Sequence, residues 1–174
     1  MKQRRMFSDP LKTEAERLVA DLRQRDLTIA TAESCTGGLI AAVLTEGPGA
    51  SDVVDRGFVT YSNAAKSAML GVSGDAIASF GAVSREVAEA MAAGALIHSL
   101  ADVSVAVTGL AGPGGGSLAK PVGLVHIAAA CRGGAVLHEE CLFGSITRSD
   151  IRQRAALAAL ALVGRLLETE AGSV

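Results

Sequence analysis

The sequence feature that most limits the folds open to this chain is the order of its apolar segments. Segments with apolar residues three and four positions apart alternate with short β-branched runs, and the last two runs follow one another directly. Alternation of this kind favours a sheet covered by helices, whereas two successive runs joined by a short turn favour an antiparallel hairpin. The sequence therefore predicts one layered α/β/α domain over residues 1–174, with a mixed β-sheet that includes a C-terminal antiparallel hairpin.

The predicted elements fill the chain without a linker or a repeat. Helices are expected at 10–25, 38–45, 63–71, 73–81, 84–100 and 148–168. Strands are expected at 27–31, 53–62, 103–108, 121–131 and 135–143, with "RGG" turning the chain between the last two. Ser8 or Asp9 should cap the first helix, with Pro10 in its first turn. The Ala-rich helix at 84–100 should bury its apolar face against the sheet.

The amino-acid composition limits the classes of function that we expect for this protein. Apolar residues make up 49% of the chain but aromatic residues only 3%, so the core must be built from Ala, Val, Leu and Ile. The net charge of −2 and the lack of a basic patch beyond "MKQRR" make a nucleic-acid partner unexpected. No apolar run of about 18 residues is present, and no apolar segment follows the basic start, so we expect neither a membrane span nor a signal peptide. The sequence predicts a cytoplasmic protein.

The cysteines give no sign of a disulfide framework or a metal site. Cys35, Cys131 and Cys141 are odd in number, widely spaced and without a paired His, so no metal is expected. The low aromatic content and the apolar helices also predict that the chain forms a homo-oligomer.

The stretch "TAESCTGG" at 31–38 lies where a predicted strand passes into a predicted helix. Ligands of α/β sheets gather at the carboxyl ends of strands, and free N–H groups at the start of a helix bind anions or a developing oxyanion. Gly37 and Gly38 would let the backbone approach a ligand closely. Ser34 and Thr36 offer hydroxyls as caps or nucleophiles. An ordinary capped helix start has the same composition, so this stretch alone leaves both interpretations open.

Cys35 is a rival nucleophile within the same stretch. A thiol at a helix N-terminus can have a lowered pKa, but the usual catalytic arrangement also needs a nearby His. His98, His126 and His138 lie in a predicted helix and two predicted strands, with no local sign of pairing. The sequence therefore favours a small buried Cys35 over a catalytic one.

The segment "TYSNAAK" at 60–66 follows the next predicted strand. Tyr61 ends that strand, and Lys66 lies about one turn into the following helix. A solvated helix lysine is the plain interpretation of Lys66. The alternative is a lysine desolvated in an apolar cleft, which is neutral and can act as a general base for a serine. In that case Tyr61 relays a proton or holds the lysine in place.

A third segment, "TGLAGPGGGSLAKPVG" at 108–123, contains a run of glycines that neither a helix nor a strand explains. It is either a flexible connection or a cradle of backbone N–H groups for an anion, formed by Gly109, Gly112, Gly114 and Gly115. The "SLAK" at 117–120 also matches the S-x-x-K pattern. We reject that match, because the pattern works on a helix and here Pro121 follows a glycine-rich loop.

The last polar segment, "GSITRSDIRQR" at 144–154, opens the final helix. Arg148 near the helix start suits a phosphate or a carboxylate, although a plain exposed cap has the same composition. Three of the four segments follow predicted strands, and the fourth follows the hairpin. In a layered α/β domain such ends converge, so we expect the four segments to meet in one cleft.

Taken together, these motifs resemble the CinA C-terminal domain family, which includes stand-alone nicotinamide-nucleotide amidohydrolases. The resemblance rests on "TAESCTGGLIA", "RGFVTYSNAAKSAMLGV", "GAVSREVAEAMAAGA", "VTGLAGPGGGSLAKPVGLVHIA" and "IRQRAALAAL". It runs from about residue 11 to residue 167, which we take as the core of the domain. Two-domain members carry an N-terminal domain similar to molybdopterin-binding proteins; a chain of 174 residues lacks room for it, so its functions are not expected here.

The resemblance implies a reaction and its residues. The implied reaction is hydrolysis of the carboxamide of nicotinamide mononucleotide to nicotinate mononucleotide and ammonia, by a metal-independent Ser–Lys mechanism without a cofactor. Ser34 matches the family serine and Lys66 the family lysine. The family's tyrosine, threonine and arginine near the site match Tyr61, Thr108 and Arg148. Members often carry "GDR" at the start of the last helix, where this chain has the longer "GSITR".

In the expected mechanism, neutral Lys66 removes the Ser34 proton and the serine attacks the amide carbon. Backbone N–H groups around Gly37 and Gly38, or Thr108, would hold the oxyanion.

The glycine loop and Arg148 would then bind the 5′-phosphate of the substrate. Glu33 would either face the charged pyridinium or support the helix start. Three alternatives stay open: a silent nucleotide-binding module, a competence-associated protein that acts through partners, and an amidase for a different substrate.

Overall fold

The structure, a computed structural model, describes residues 6–172, and strands and helices alternate along that range. The helices are α1 Asp9–Gln24, α2 Leu39–Leu44, α3 Asn63–Leu70, α4 Gly74–Phe80, α5 Arg85–Ile97 and α6 Arg148–Ala171. The strands are β1 Ile29–Glu33, β2 Val54–Val59, β3 Val103–Gly109, β4 Leu124–Cys131 and β5 Val136–Leu142. A short 3₁₀ turn at Ala50–Asp52 precedes β2.

The five strands form one mixed sheet in the order β2-β1-β3-β4-β5. The strand pairs β1–β2 and β1–β3 are parallel, whereas β3–β4 and β4–β5 are antiparallel. The predicted mixed sheet with a C-terminal hairpin is therefore confirmed. Since β1, β2 and β3 run in one direction, their carboxyl ends lie at the same edge of the sheet.

Helices cover both faces of this sheet. Residues of α1, α2 and α6 pack with Ile29 of β1 on one face, and residues of α3, α4 and α5 pack with Ala30 and Ala32 on the other. The side chains of β1 alternate between the two faces, as the pleat of a strand requires. The core is aliphatic and small, as the composition predicts, apart from a buried Phe7.

Small residues let α5 lie close to its neighbours. Its buried face is formed by Val87, Ala88, Met91, Ala92, Gly94, Ala95 and Leu96, which confirms that the Ala-rich helix packs on the sheet. A Cβ at Gly94 would lie 2.1 Å from the Leu70 carbonyl oxygen of α3. Glycine is needed there because no side chain fits between the two helices.

Several helices begin at the residues that the sequence favours as caps. The side chains of Ser62, Ser73, Ser84 and Thr147 each accept an N–H from the first turn of the helix that follows. Ser8 occupies the cap position of α1 without such a bond, and Pro10 lies in the first turn.

Three strands differ from the prediction by two residues or more, and one of them is β2, which ends at Val59 instead of 62 and leaves Tyr61 in the segment after it. β1 covers 29–33 instead of 27–31, because Thr28 binds the Asp102 carboxylate through its N–H and its hydroxyl before the strand begins. β4 begins at Leu124, because residues 121–123 form a turn in which Gly123 has a φ of 93°. The shift of β1 matters for function, since it places Glu33 inside a buried strand.

No helix within residues 6–172 combines the length and the hydrophobicity that crossing a bilayer requires. The cytoplasmic location, the homo-oligomer and the absence of a nucleic-acid partner stay predictions.

Candidate active site

A cleft of about 260 Å³ lies at the carboxyl ends of β1, β2 and β3. All four polar segments contribute to its walls, which confirms that they meet in one cleft. From the predicted site, the lining residues are Ser34, Tyr61, Lys66, Thr108, Gly109, Gly112, Gly114 and Arg148, and they are joined by Cys35, Asn63, Ala82, Val83, Leu110 and Ala111.

Ser34 and Lys66 are in direct contact at the base of this cleft. Lys66 Nζ lies 3.0 Å from Ser34 Oγ and donates to the Thr60 carbonyl oxygen at 2.9 Å. Ser34 follows β1 and Lys66 lies on the buried face of α3, so two neighbouring parallel strands bring together residues 32 positions apart. The distance is within the reach that a general base needs for the proton of a nucleophile.

The surroundings of Lys66 favour an uncharged amine. The side chain is 1% exposed, and it forms no ion pair within residues 6–172. Burial lowers the pKa of Lys66 below its ordinary value of 10.5, and a weaker influence of Cys35 raises it. The interpretation of Lys66 as a solvated helix lysine is therefore wrong.

Tyr61 and Arg148 form a bridge across the mouth of the cleft. Arg148 Nη2 donates to the Tyr61 hydroxyl at 2.7 Å, and Nη1 donates to the Gly112 carbonyl oxygen at 2.6 Å. The Tyr61 side chain is 61% exposed. The lysine is held by the carbonyl of Thr60, the residue before the tyrosine, so the expectation that Tyr61 holds Lys66 in place does not match this arrangement.

The turn after Ser34 uses its two glycines for its own geometry. Gly37 and Gly38 have φ of 55° and 95°, a region that favours glycine. Gly37 N–H donates to the Ser34 carbonyl, and Gly38 N–H donates to Glu33 Oε2. Neither glycine lines the cleft. The predicted oxyanion role of these two N–H groups is therefore wrong, because both are already hydrogen-bonded.

Glu33 supports the start of α2. Its carboxylate is fully buried and accepts the N–H groups of Gly38, Ile40 and Ala41 at 2.9–3.1 Å. A negatively charged hydrogen-bond acceptor at this position satisfies backbone N–H groups that the first turn of a helix leaves unpaired. Of the two roles expected for Glu33, support of the helix start is the one that matches these contacts. The pyridinium-facing role is wrong, because the side chain does not reach the cleft.

Two threonines are placed differently from expectation. The Thr108 hydroxyl donates to the Ala82 carbonyl oxygen at 2.8 Å, so its hydrogen is not available to an oxyanion and it instead fixes the cleft wall at 82–83. Thr36 is fully buried beneath the turn, outside the cleft lining, and its hydroxyl has no partner within residues 6–172.

Cys35 is a buried thiol, as the sequence favours. Burial raises its pKa to about 12, so almost no thiolate exists at neutral pH. His126 Nδ1 lies 3.0 Å from His138 Nε2 across β4 and β5, and the two histidines thus contact each other and not Cys35. None of the three histidines lines the cleft.

The glycine loop divides between two places. Gly109, Gly112 and Gly114 line the cleft, whereas Gly115 lies in a neighbouring surface depression. The "SLAK" segment forms a turn, with the Lys120 side chain donating to the Phe80 carbonyl, so its rejection as a catalytic pair is confirmed. Within residues 6–172, no group of three or more His, Cys, Asp or Glu side chains is arranged to hold a metal ion.

The sequence did not identify two groups that shape the site. One is the Thr60 carbonyl, a backbone atom with no sequence signature. The other is Arg152, which donates to the carbonyl oxygens of Cys35 and Thr36. Its position four residues after Arg148 puts both arginines on one side of α6, and that spacing was the available signal.

Comparison with known proteins identifies the family of this fold and site. The family model described as the CinA C-terminal domain matches residues 11–167. The chain belongs to the CinA C-terminal domain family. A crystal structure of the competence/damage inducible protein CihA from Agrobacterium tumefaciens has a TM-score of 0.91 and 53% identity to it, covering 92% of this chain and 97% of that one.

The relatives of this CinA C-terminal domain differ in length. The CinA-like protein of Akkermansia muciniphila is 53% identical over 144 residues, which are 83% of this chain but 34% of that protein. The chain thus spans about a third of the length of such relatives. A protein of Escherichia coli K12 named nicotinamide-nucleotide amidohydrolase PncC is 45% identical over 156 residues, which cover 89% of this chain and 93% of PncC.

Proposed function

We propose that this CinA C-terminal domain is an amidohydrolase that converts nicotinamide mononucleotide to nicotinate mononucleotide and ammonia through a Ser–Lys acyl-enzyme. The observation that carries the proposal is the buried amine of Lys66, which pairs with no carboxylate among residues 6–172 and lies 3.0 Å from Ser34 Oγ. The name of the E. coli relative, which aligns over nearly its whole length, supports the same substrate class.

The first half of the reaction forms the acyl-enzyme. Neutral Lys66 takes the proton of the Ser34 hydroxyl, and the oxygen attacks the carboxamide carbon. The tetrahedral intermediate then expels its nitrogen, which receives the proton from the Lys66 ammonium and leaves as ammonia. The Thr60 carbonyl keeps the amine oriented through both transfers, because it accepts another of its hydrogens.

The second half returns the enzyme to its starting state. Water gives a proton to Lys66 and attacks the ester carbon, and the Ser34 oxygen recovers that proton as it leaves. The other product is the carboxylate of nicotinate mononucleotide.

The oxyanion needs donors other than those first expected. Within residues 6–172, no oxygen accepts the N–H group of Cys35, the residue that follows the nucleophile and lines the cleft. It is the donor of this turn that is placed to stabilise negative charge as it develops, an effect of about 3–4 kcal/mol per donor in other hydrolases.

The cleft suits the pyridine end of a nucleotide. Its volume of about 260 Å³ is small beside the roughly 300–1,000 Å³ of most ligand sites. A substrate would therefore insert its ring and carboxamide and leave its ribose phosphate at the mouth. Arg148 lies at that mouth beside Gly112 and Gly114, and two of its five N–H donors are used by Gly112 and Tyr61, which leaves donors for a phosphate.

The test is ammonia release from a panel of pyridine nucleotides and simple amides. Ser34→Ala should lower kcat for nicotinamide mononucleotide by at least about 10³-fold with an unchanged melting temperature. Ser51→Ala, an exposed serine on the 3₁₀ turn, is the control and should keep full activity.

The panel also separates the alternatives. Turnover of simple amides but not of nucleotides would identify an amidase for a different substrate. Nucleotide binding without ammonia would identify a silent binding module, and wild-type activity in Ser34→Ala would remove the serine from the mechanism.

A further inference from the structure

The side chain of Arg152 on α6 has no role in the mechanism above, yet it is bound to the nucleophile turn. Its Nε donates to the Cys35 carbonyl oxygen at 3.2 Å, and its Nη2 donates to the Thr36 carbonyl oxygen at 2.8 Å. Arg152 is partly buried and does not line the cleft. It therefore contacts the turn that carries Ser34 and is not placed to contact a substrate.

These two hydrogen bonds set the orientation of two successive peptide planes. In a trans peptide the C=O of one residue points opposite to the N–H of the next. Holding the Thr36 carbonyl thus fixes the direction of the Gly37 N–H, which donates back to the Ser34 carbonyl oxygen at 3.0 Å. The Ser34 carbonyl lies in one peptide plane with the Cys35 N–H, so the direction of that N–H, the donor next to the nucleophile, is fixed in turn.

Glu33 and Arg152 hold the same turn by opposite charges. The Glu33 carboxylate accepts N–H groups at the start of α2, and the Arg152 guanidinium donates to the carbonyls just before it. A planar guanidinium can bind two acceptors at once, whereas the ammonium of a lysine acts as a point charge. The positive charge also lies close enough to Cys35 to act on its thiol, against the larger effect of burial.

We propose that Arg152 is a positioning residue for the nucleophile. By fixing the Cys35 and Thr36 carbonyls, it keeps Ser34 Oγ within reach of Lys66 and keeps the Cys35 N–H oriented for the oxyanion. This role rests on the proposed amidase function. Misplacing a reacting group by about 1 Å can cost roughly 10²-fold in rate.

The experiment compares Arg152→Ala, Arg152→Lys and Arg154→Ala in the full chain. Arg154, two residues further along α6, is exposed and makes no hydrogen bond or ion pair within residues 6–172, so it is the matched control. We expect Arg152→Ala to lose about 10²-fold in kcat with KM changed less than about threefold. Arg152→Lys should lie in between, added guanidinium should restore part of the loss in Arg152→Ala, and Arg154→Ala should match the wild type.

A second readout does not depend on the substrate. The rate at which a fluorophosphonate labels Ser34, followed by intact mass, reports the reactivity of the hydroxyl itself. We expect labelling of Arg152→Ala to be slower by a factor similar to that in kcat. If the wild type labels faster than Arg152→Ala but releases no ammonia, the positioning role stands and the amidase function fails.

Two results would overturn the positioning role. One is a wild-type kcat and labelling rate in Arg152→Ala. The other is a loss that appears together with a lowered melting temperature and that neither lysine nor added guanidinium restores, since that pattern is purely structural. A wild type that neither releases ammonia nor labels at Ser34 would overturn both proposals.

Discussion

At the scale of single residues, the account depends on the amine of Lys66. An unpaired ammonium in a buried site costs several kcal/mol, so a lysine there is retained in its neutral form or for a function. Lys66 is 1% exposed, and its amine contacts a hydroxyl and a carbonyl in place of a carboxylate. The same burial that disfavours its charge lowers the pKa of Lys66 below 10.5, in the direction that a general base needs.

Replacing Lys66 by Met should remove activity and stabilise the fold at neutral pH. The folded-state pKa lies below the ordinary 10.5, so between these two values the unfolded chain binds more protons than the folded one. Wild-type stability therefore rises with pH across that window. We expect Lys66→Met to have a higher free energy of unfolding than the wild type at pH 7, measured with urea.

The gain should shrink as the pH approaches 10.5, because the wild-type amine is then neutral in both states. Lys12→Met, at a more exposed lysine of α1, is the control and should show no such trend. A Lys66→Met variant that is less stable than the wild type at pH 7 would contradict this prediction, because the buried amine would then not destabilise the folded state.

Replacing Cys35 by Ala should leave ammonia release within about threefold of the wild type. The thiol has a pKa of about 12 and so supplies almost no nucleophile at neutral pH. The exchange also keeps the Cys35 N–H, which is the group that the mechanism uses. Loss of activity comparable to that of Ser34→Ala would make Cys35 the nucleophile instead.

The sequence predicted the reacting pair better than the groups that support it. Ser34 and Lys66 follow neighbouring strands, and the family resemblance names both. The roles of Gly37 and Gly38 were wrong because a run of small residues does not reveal which N–H groups a turn already uses. The predicted oxyanion role of Thr108 was wrong for a similar reason. Its hydroxyl donates to the Ala82 carbonyl oxygen, 26 residues away, and the sequence does not reveal that partner.

At the scale of elements, the short helix α2 depends on one buried carboxylate. Glu33 accepts three N–H groups at the start of a helix of six residues, too short to be stable by its own hydrogen bonds. The carboxylate therefore connects the end of β1 to α2 and holds the turn between them.

Replacing Glu33 by Gln should weaken that connection. The neutral amide accepts less strongly and places an NH₂ group against N–H donors, so we expect a loss of about 1–3 kcal/mol in the free energy of unfolding. Glu16→Gln, at an exposed position of α1, is the control and should change little. Equal stability of Glu33→Gln and the wild type in urea titrations would contradict the structural role of this carboxylate.

Element boundaries were predictable where a cap or a glycine marks them. Ser84 begins α5 and Gly71 ends α3, as expected. The end of β1 was not predictable, because Glu33 looks like a loop residue and belongs to the strand through its pairing with Val59 of β2 and Val107 of β3. Long-range contacts, and not local pattern, decided that boundary.

At the scale of the whole molecule, strand direction builds the site. β1, β2 and β3 run parallel and end at one edge, so three chain-distant segments meet there. The hairpin β4–β5 then returns the chain to α6, which brings Arg148 and Arg152 to the same edge. The convergence was predictable from the order of the elements, but which arginine faces the cleft was not.

The most direct test of the central claim is the pKa of Lys66 itself. Lysine residues labelled with ¹³C at Cε are titrated by NMR in the native chain, with Lys66→Met to assign the signal. The account predicts that Lys66 titrates below its ordinary value of 10.5, on the acidic side of the other lysine signals. A Lys66 signal that titrates at or above 10.5 would contradict the account, because the amine would then be charged at neutral pH and unable to take the Ser34 proton.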